Sequence, residues 1–276
     1  MTEEKEKIDS TLKEKLAPKQ FIKQSINGTK YTVLVSSAKG GVGKSTVAVN
    51  LAFALQNLGM KVGILDADVY GPSLPKLINL NEKPKSEDGK ALIPLEKYNV
   101  QCMSMGFLVD EQTPMIWRGP MVISALKTMT QKVLWKDRDV IIVDMPPGTG
   151  DTQLTFAQEV KVDGAIIVST PQDLALLDVR RGIQMFDKTG VKILGLIDNM
   201  SYFKGDDGKD YKIFGESGVE KTAKEFAKEF LGKIPLHQDL RITSDKGEPL
   251  TYSNPNHEIS LIFKNIAKKI INKYEL

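Results

Sequence analysis

The sequence predicts an α/β fold of the doubly wound kind, a mostly parallel sheet with helices on both faces. Three observations carry this. Seven short apolar runs recur along the 276 residues without polar alternation, as strands buried on both faces do. Stretches at helical spacing alternate with those runs. Between the first two stands "SAKGGVGKST", a glycine-rich turn placed where a strand hands over to a helix.

Residues 1 to 28 are charge-rich and close on "NGTK", so they read as a charged arm or short helix ahead of a single domain at 29–276. The first strand is "YTVLVSS". In the stretch after the turn, Val47, Leu51, Leu55 and Leu58 recur at helical spacing and Gly59 supplies a C-cap. Further strands are "KVGILDAD", "VQCMSMGF", "DVIIVDMPP", "GAIIVSTP", "KILGLIDNM" and "LGKIPL". The C-terminal "ISLIFKNIAKKIINKYEL" puts Ile259, Ile262, Phe263, Ile266 and Ile270 on one helical face, with Lys264, Lys268 and Lys273 largely away from it. Such a stripe packs onto its own domain more often than onto an anionic membrane.

Composition narrows the function classes. A hydrophobic fraction of 41% supports a sizeable core, and 38 basic against 35 acidic residues leave a net charge of +3, too small to make nucleic acid the main partner. One cysteine excludes an intramolecular disulfide framework and fits a reducing compartment. No apolar run approaches the roughly 20 residues of a membrane span, and the N-terminus has no apolar signal-peptide core. A cytoplasmic location is expected.

"KGGVGKST" is a phosphate-binding loop of the P-loop NTPase type. The backbone N–H groups of Gly40, Gly41, Val42 and Gly43 face the phosphates, Lys44 reaches the outer ones, Ser45 holds Mg2+ and Thr46 makes a further phosphate contact. Ala38 stands where the general motif has its first glycine. Lys39 points away from its own γ-phosphate, which suggests a donor to a partner's; the alternative is an exposed lysine of no consequence. "VIIVD" ends in Asp144, the carboxylate expected on Mg2+. In "PPGTGD", Gly148 is placed to offer its N–H to the γ-phosphate and to swing away after hydrolysis, and Asp151 reads as a helix N-cap. Asp66 and Asp68 lie at the carboxyl end of the second strand, where such sheets carry their ligand groups. No guanine-reading N-K-x-D is present, so ATP is the expected nucleotide.

The loop with its extra lysine resembles the deviant Walker A signature of the MinD, ParA and nitrogenase iron protein class. That resemblance implies a nucleotide-sandwich dimer in which Lys39 crosses to the partner. It further implies that Asp68 positions the attacking water, that Asp66 lies near the metal shell, and that Asn199 reads the adenine edge with Pro235 and Leu236 beside the base. Helix capping by Asp66 or Asp68, and a turn role for Asn199, stay open. "DADVYGPSLPKL", "MSMGFLV", "WRGPM", "DMPPGTGD", "STPQDLALLDVRRGI" and "DNMSYF" followed by "IFG" resemble the Mrp/ApbC family of iron–sulfur cluster carriers, from about residue 30 to 270. The family implies a homodimer that hydrolyses ATP slowly and delivers clusters to apoprotein clients.

One departure stands out. Where members that bridge a cluster carry C-x-x-C, between "NMSYF" and "FG", this chain reads "KGDDGKDYKI". Cys102 lies in a buried-strand pattern and is expected in the core. His237 and His257 are isolated in sequence and read as structural or surface residues; Asp206, Asp207 and Asp210 read as a solvated loop before a weak oxygen site. Trp117 and Arg118 either pack or face a partner, and Arg180 and Arg181 either pair at an interface or lie solvated. The competing function is a MinD- or ParA-like positioning switch that binds a membrane or partner without iron. A small-molecule kinase has no visible acceptor site to support it.

Overall fold

A computed structural model describes residues 23–86, 89–109 and 117–274. Strands β1 (Thr29–Ser36), β2 (Val62–Asp66), β4 (Val100–Ser104), β5 (Arg138–Asp144), β6 (Gly164–Ser169), β7 (Ile193–Lys204) and β9 (Phe230–Leu236) are the seven apolar runs, and they pair in parallel. Two short antiparallel pieces, β3 (Leu95–Lys97) beside β4 and β8 (Asp210–Tyr211) beside the end of β7, were not expected. They carry three and two residues, too few to show a period. The sheet runs β3-β4-β2-β5-β1-β6-β7-β8, with β9 on β7.

Nine α-helices among the described residues complete the fold: α1 (Lys44–Gln56), α2 (Leu74–Leu77), α3 (Gly119–Gln131), α4 (Asp151–Glu159), α5 (Asp173–Thr189), α6 (Gly218–Glu225), α7 (Gln238–Lys246), α8 (Leu250–Ser253) and α9 (Glu258–Tyr274). Every residue of α1 from Val47 to Leu55 is buried. A one-sided stripe was expected there. The helix is enclosed because α8 and α9 cover the side turned away from the sheet. Asn57 caps it, and Gly59 adopts its positive φ two residues beyond that cap.

Four of the five residues of the apolar stripe of α9 are taken up: Ile259, Phe263, Ile266 and Ile270 are each 1% exposed or less. Ile262 is half-buried against the same core. No helix among the described residues is long and apolar enough to cross a membrane.

Residues 1–22 of the expected arm lie outside the described residues. Its last part is joined to the domain: Gln24 pairs with Val160 through a bridge and its N–H reaches Glu159 O at 2.8 Å, while Ile26 is buried in the core. Cys102, on the inside of β4, has no exposure. Its Sγ donates to Val100 O at 3.5 Å and burial pushes the thiol well above its usual range.

Candidate functional site

Strand β1 lies mid-sheet, and its carboxyl end delivers the phosphate loop directly beside the ends of β2 and β5. The register sets Val35 against Asp144 and Asp144 against Asp66, so loop and carboxylates share one edge of the sheet. Lys44 Nζ lies 2.5 Å from Asp144 Oδ1 and 3.3 Å from Ser45 Oγ. Both members of that ion pair are almost wholly buried. Three groups expected to serve phosphate and metal are thus gathered at one point. Their charges and hydrogen-bonding groups satisfy one another.

Asp66 is fully buried and collects four hydrogen bonds. Its Oδ1 accepts from the N–H of Asp68, while its Oδ2 accepts from the N–H groups of Ser73 and Leu74 and from the Ser104 hydroxyl, at 2.9 to 3.1 Å. Burial, reinforced by the neighbouring Asp144, pushes its carboxyl up to about 7. The carboxylate therefore organises the segment 66–74 that carries Asp68, and it stands beside Asp144. Ser104 had no signal in the sequence.

Asp68 is half-buried, accepts from Gly71 N–H at 3.3 Å, and has its carboxyl raised by burial despite the nearby Lys44 cation. It opens onto a cleft of about 590 Å³ shared with Pro147, Gly150 and Asp151. Asp151 is the first residue of α4, and Gly150 occupies the cap position expected of it. Gly148, at φ +98°, gives its N–H to Ser37 O at 2.8 Å, so this amide is engaged with the phosphate-loop strand rather than pointing free. Gln153 ties the same two segments together: its Oε1 accepts from Ser36 Oγ at 2.9 Å and its Nε2 donates to Pro146 O at 2.5 Å. A buried glutamine on a short helix gave no warning of this.

Lys39 is half-buried and meets no carboxylate among the described residues; only its backbone is engaged, accepting from Ser37 Oγ. Tyr70, Leu174 and Leu177 follow the ends of β2 and β6 and are 54 to 63% exposed, an apolar fringe on the same edge of the sheet as the loop.

On the other side of the loop, Gly43, Thr46, Asn199, Pro235 and Leu236 line a cavity of about 370 Å³. Asn199 Nδ2 donates to Val42 O at 2.8 Å, and its buried Oδ1 has no partner. Gly43 is indispensable there: at φ +78°, a Cβ would sit 2.3 Å from Asn199 Nδ2. The amide of Asn199 is thereby fixed by the loop, with its acceptor left over.

This architecture matches proteins of known family. The model of the ParA-type NUBPL iron-transfer P-loop NTPases covers residues 28–271. The chain belongs to this family. The iron–sulfur cluster transfer protein NUBPL of Dictyostelium discoideum is 49% identical over 260 residues, 93% of this chain and 80% of that protein. The iron–sulfur cluster carrier protein of Escherichia coli K12 is 46% identical over 267 residues, 95% of this chain and 72% of its own length. Among solved structures, a nucleotide-binding protein from Archaeoglobus fulgidus in complex with ADP is 36% identical with a TM-score of 0.72, over 82% of this chain and 90% of that one. The MinD cell-division ATPase of Pyrococcus furiosus, at 21% identity and a TM-score of 0.65 over 88% and 99%, shares the fold.

The remaining expectations fall out unevenly. The two histidines are not isolated: they meet, as described below. Asp207 closes a local turn with Lys209 N–H and the Tyr211 hydroxyl, consistent with a solvated loop. Arg180 pairs with Glu225 and Arg181 with Asp178, at exposed positions within the chain. Trp117 packs partly against the core, and Arg118 is exposed at the start of α3.

Proposed function

We propose that this chain is a homodimeric ATPase that helps deliver iron–sulfur clusters to apoprotein clients. The observation that carries the nucleotide half is the convergence of Lys44, Ser45 and Asp144 beside a cavity lined by an asparagine whose buried acceptor has no partner. The backbone of Gly40 to Gly43 receives the phosphates, Lys44 leaves Asp144 for the β- and γ-phosphates, and Asn199 Oδ1 accepts from the exocyclic amine of adenine, with Pro235 and Leu236 against the ring. Thr46 adds a phosphate contact.

Ser45 Oγ and Asp144 Oδ1 flank the same lysine nitrogen, and such hard oxygen donors suit Mg2+. When bound there, Mg2+ neutralises charge on the phosphate oxygens. Asp68 orients the attacking water and Asp66 holds its segment in place. Gly148 exchanges Ser37 O for the γ-phosphate and returns after hydrolysis. Lys39, without a carboxylate of its own, reaches the partner's phosphates and stabilises developing charge there. The exposed apolar fringe of Tyr70, Leu174 and Leu177 supports dimer closure around that edge.

The names of relatives 46 to 49% identical support clusters as the cargo. The buried Cys102 is the only cysteine in the chain, so no thiolate pair is offered at the 204–213 loop. The thiolates of the transferred cluster then belong to donor and client. A membrane-positioning role loses its main support, because the apolar face of α9 is buried in the chain's own core.

The test is anaerobic transfer from a clustered donor to an apo-ferredoxin, with and without Mg-ATP, for wild type and Lys39→Ala. ATP should accelerate transfer by wild type only. Equal rates with and without ATP, at a normal rate of nucleotide turnover, would sink the carrier role and leave the ATPase standing. Unchanged dimerisation and turnover in Lys39→Ala would remove the trans lysine.

A further inference from the structure

The two histidines of the chain come from different elements and meet. His237 follows β9 and caps the N-terminus of α7; His257 precedes α9. Their rings stand edge to face with centroids 5.1 Å apart. Between them lies one carboxylate, Asp239, whose Oδ2 is 3.2 Å from His257 Nε2 and 3.9 Å from His237 Nδ1. One ligand atom from each of the three lies within 4.8 Å of the others.

We propose that His237, Asp239 and His257 form a site for one borderline divalent transition ion of the Zn2+ class. Two imidazole nitrogens and a carboxylate oxygen are a donor set such ions favour over Mg2+ or Ca2+, which ask for oxygen. Bonds of about 2.0–2.1 Å in tetrahedral geometry put ligand atoms about 3.3 Å apart. The observed 3.2 and 3.9 Å bracket that separation, and all three ligand atoms lie within 4.8 Å of one another, so a shift of about 1.5 Å or less per pair brings them to an ion.

The protons also fit, at a stated cost. His237 Nδ1 accepts the N–H of Asp239 at 3.2 Å through its one in-plane lone pair, so it carries no proton, and coordination by this nitrogen gives up that capping hydrogen bond. Its Nε2 faces Glu258 Oε1 at 3.5 Å, the outer carboxylate that fixes the tautomer of metal-bound imidazoles. His257 Nδ1 accepts the N–H of Ile259 at 3.2 Å. Coordination through Nε2 shifts its proton to Nδ1 and gives up that one long hydrogen bond. A cleft of about 500 Å³ bordered by Asp206, Asp210 and Glu258 opens beside the cluster. It leads the cation in and leaves a fourth position for water.

The ion would tie the first turn of α7 to that of α9. The experiment uses the untagged, nucleotide-free full chain stripped of metal, titrated with Co2+ and then with Zn2+. The expected result is one Co2+ per chain with the intense visible absorption of four-coordinate cobalt, displaced by Zn2+, unmoved by excess Mg2+, and retained in Cys102→Ser. Zn2+ should raise the melting temperature of wild type and not that of His257→Gln. Asp239→Asn, a half-exposed position, should weaken binding at least tenfold without unfolding the chain. Absence of saturable binding overturns the proposal, as does stoichiometric binding that survives both Asp239→Asn and His257→Gln, or binding lost with Cys102.

Discussion

Lys44 and Asp144, one hundred residues apart, form a buried ion pair at 2.5 Å in the space between phosphate loop and β5. Breaking one side of such a pair leaves an uncompensated charge in the interior, at a cost of about 3–5 kcal/mol. Lys44→Ala should therefore lower nucleotide-free stability by about that much, and adding Asp144→Ala should recover part of it. Urea unfolding of the two single variants and the double variant gives the coupling. Additive losses would mean that the pair contributes nothing to the empty loop.

Gly43→Ala tests the base pocket from the loop side. The added methyl at a positive φ would fall 2.3 Å from Asn199 Nδ2 and push the amide off Val42 O. ATP affinity should fall more than tenfold, while Gly41→Ala, also at positive φ but with nothing within 4 Å of its Cβ, should fall less. A fluorescent ATP analogue reads both. Equal losses would assign the effect to backbone strain and free Asn199 from the role given to it.

Much of this site was legible because its parts are local. A phosphate loop needs its glycines, lysine and hydroxyl at consecutive positions, and a strand of "VIIVD" announces its own terminal carboxylate. All seven parallel strands were visible for a similar reason: burial on both faces writes a continuous apolar run. What stayed hidden depends on long-range company. The hydrogen bonds that Asp66 accepts from Ser104, on β4, and from the N–H groups of Ser73 and Leu74 are made only by the fold. His237 and His257 are 20 residues apart, and only the fold brings the start of α7 beside the residues that open α9. The helix α1 read as one-sided because the covering elements lie some 200 residues downstream.

Asp68 gives turnover a pH signature. Burial raises its carboxyl above the ordinary range, so it takes up a proton at a higher pH than a solvated aspartate does. In the role proposed for it, the ionised form is the stronger acceptor for the attacking water and the one that can draw on its proton. Turnover at saturating Mg-ATP should thus fall as pH drops through that raised value, and Asp68→Asn should be low and flat, with nucleotide affinity within a few fold of wild type. A wild-type rate in Asp68→Asn would place the water elsewhere.

Asp198 sits back to back with Asn199 on β7, buried, with neither carboxylate oxygen hydrogen-bonded. Burial pushes its carboxyl up from 3.8 to about 7, opposed by the Lys233 charge. The sign follows from proton counting: between those values the folded chain holds a proton that the unfolded chain has released, so stability is lost as pH rises through the window. Asp198→Asn removes the ionisation and should stabilise the chain more at pH 8 than at pH 5, the gap widening by about 2–3 kcal/mol at roughly 1.4 kcal/mol per pH unit. Asp66, raised in the same direction, is common to both proteins and cancels from the difference. Urea midpoints at the two pH values decide it. A gap independent of pH would mean that Asp198 is ionised throughout and is held by the field of Lys233, which lies opposite it on β9 and pairs with Glu220 of α6 at 2.8 Å.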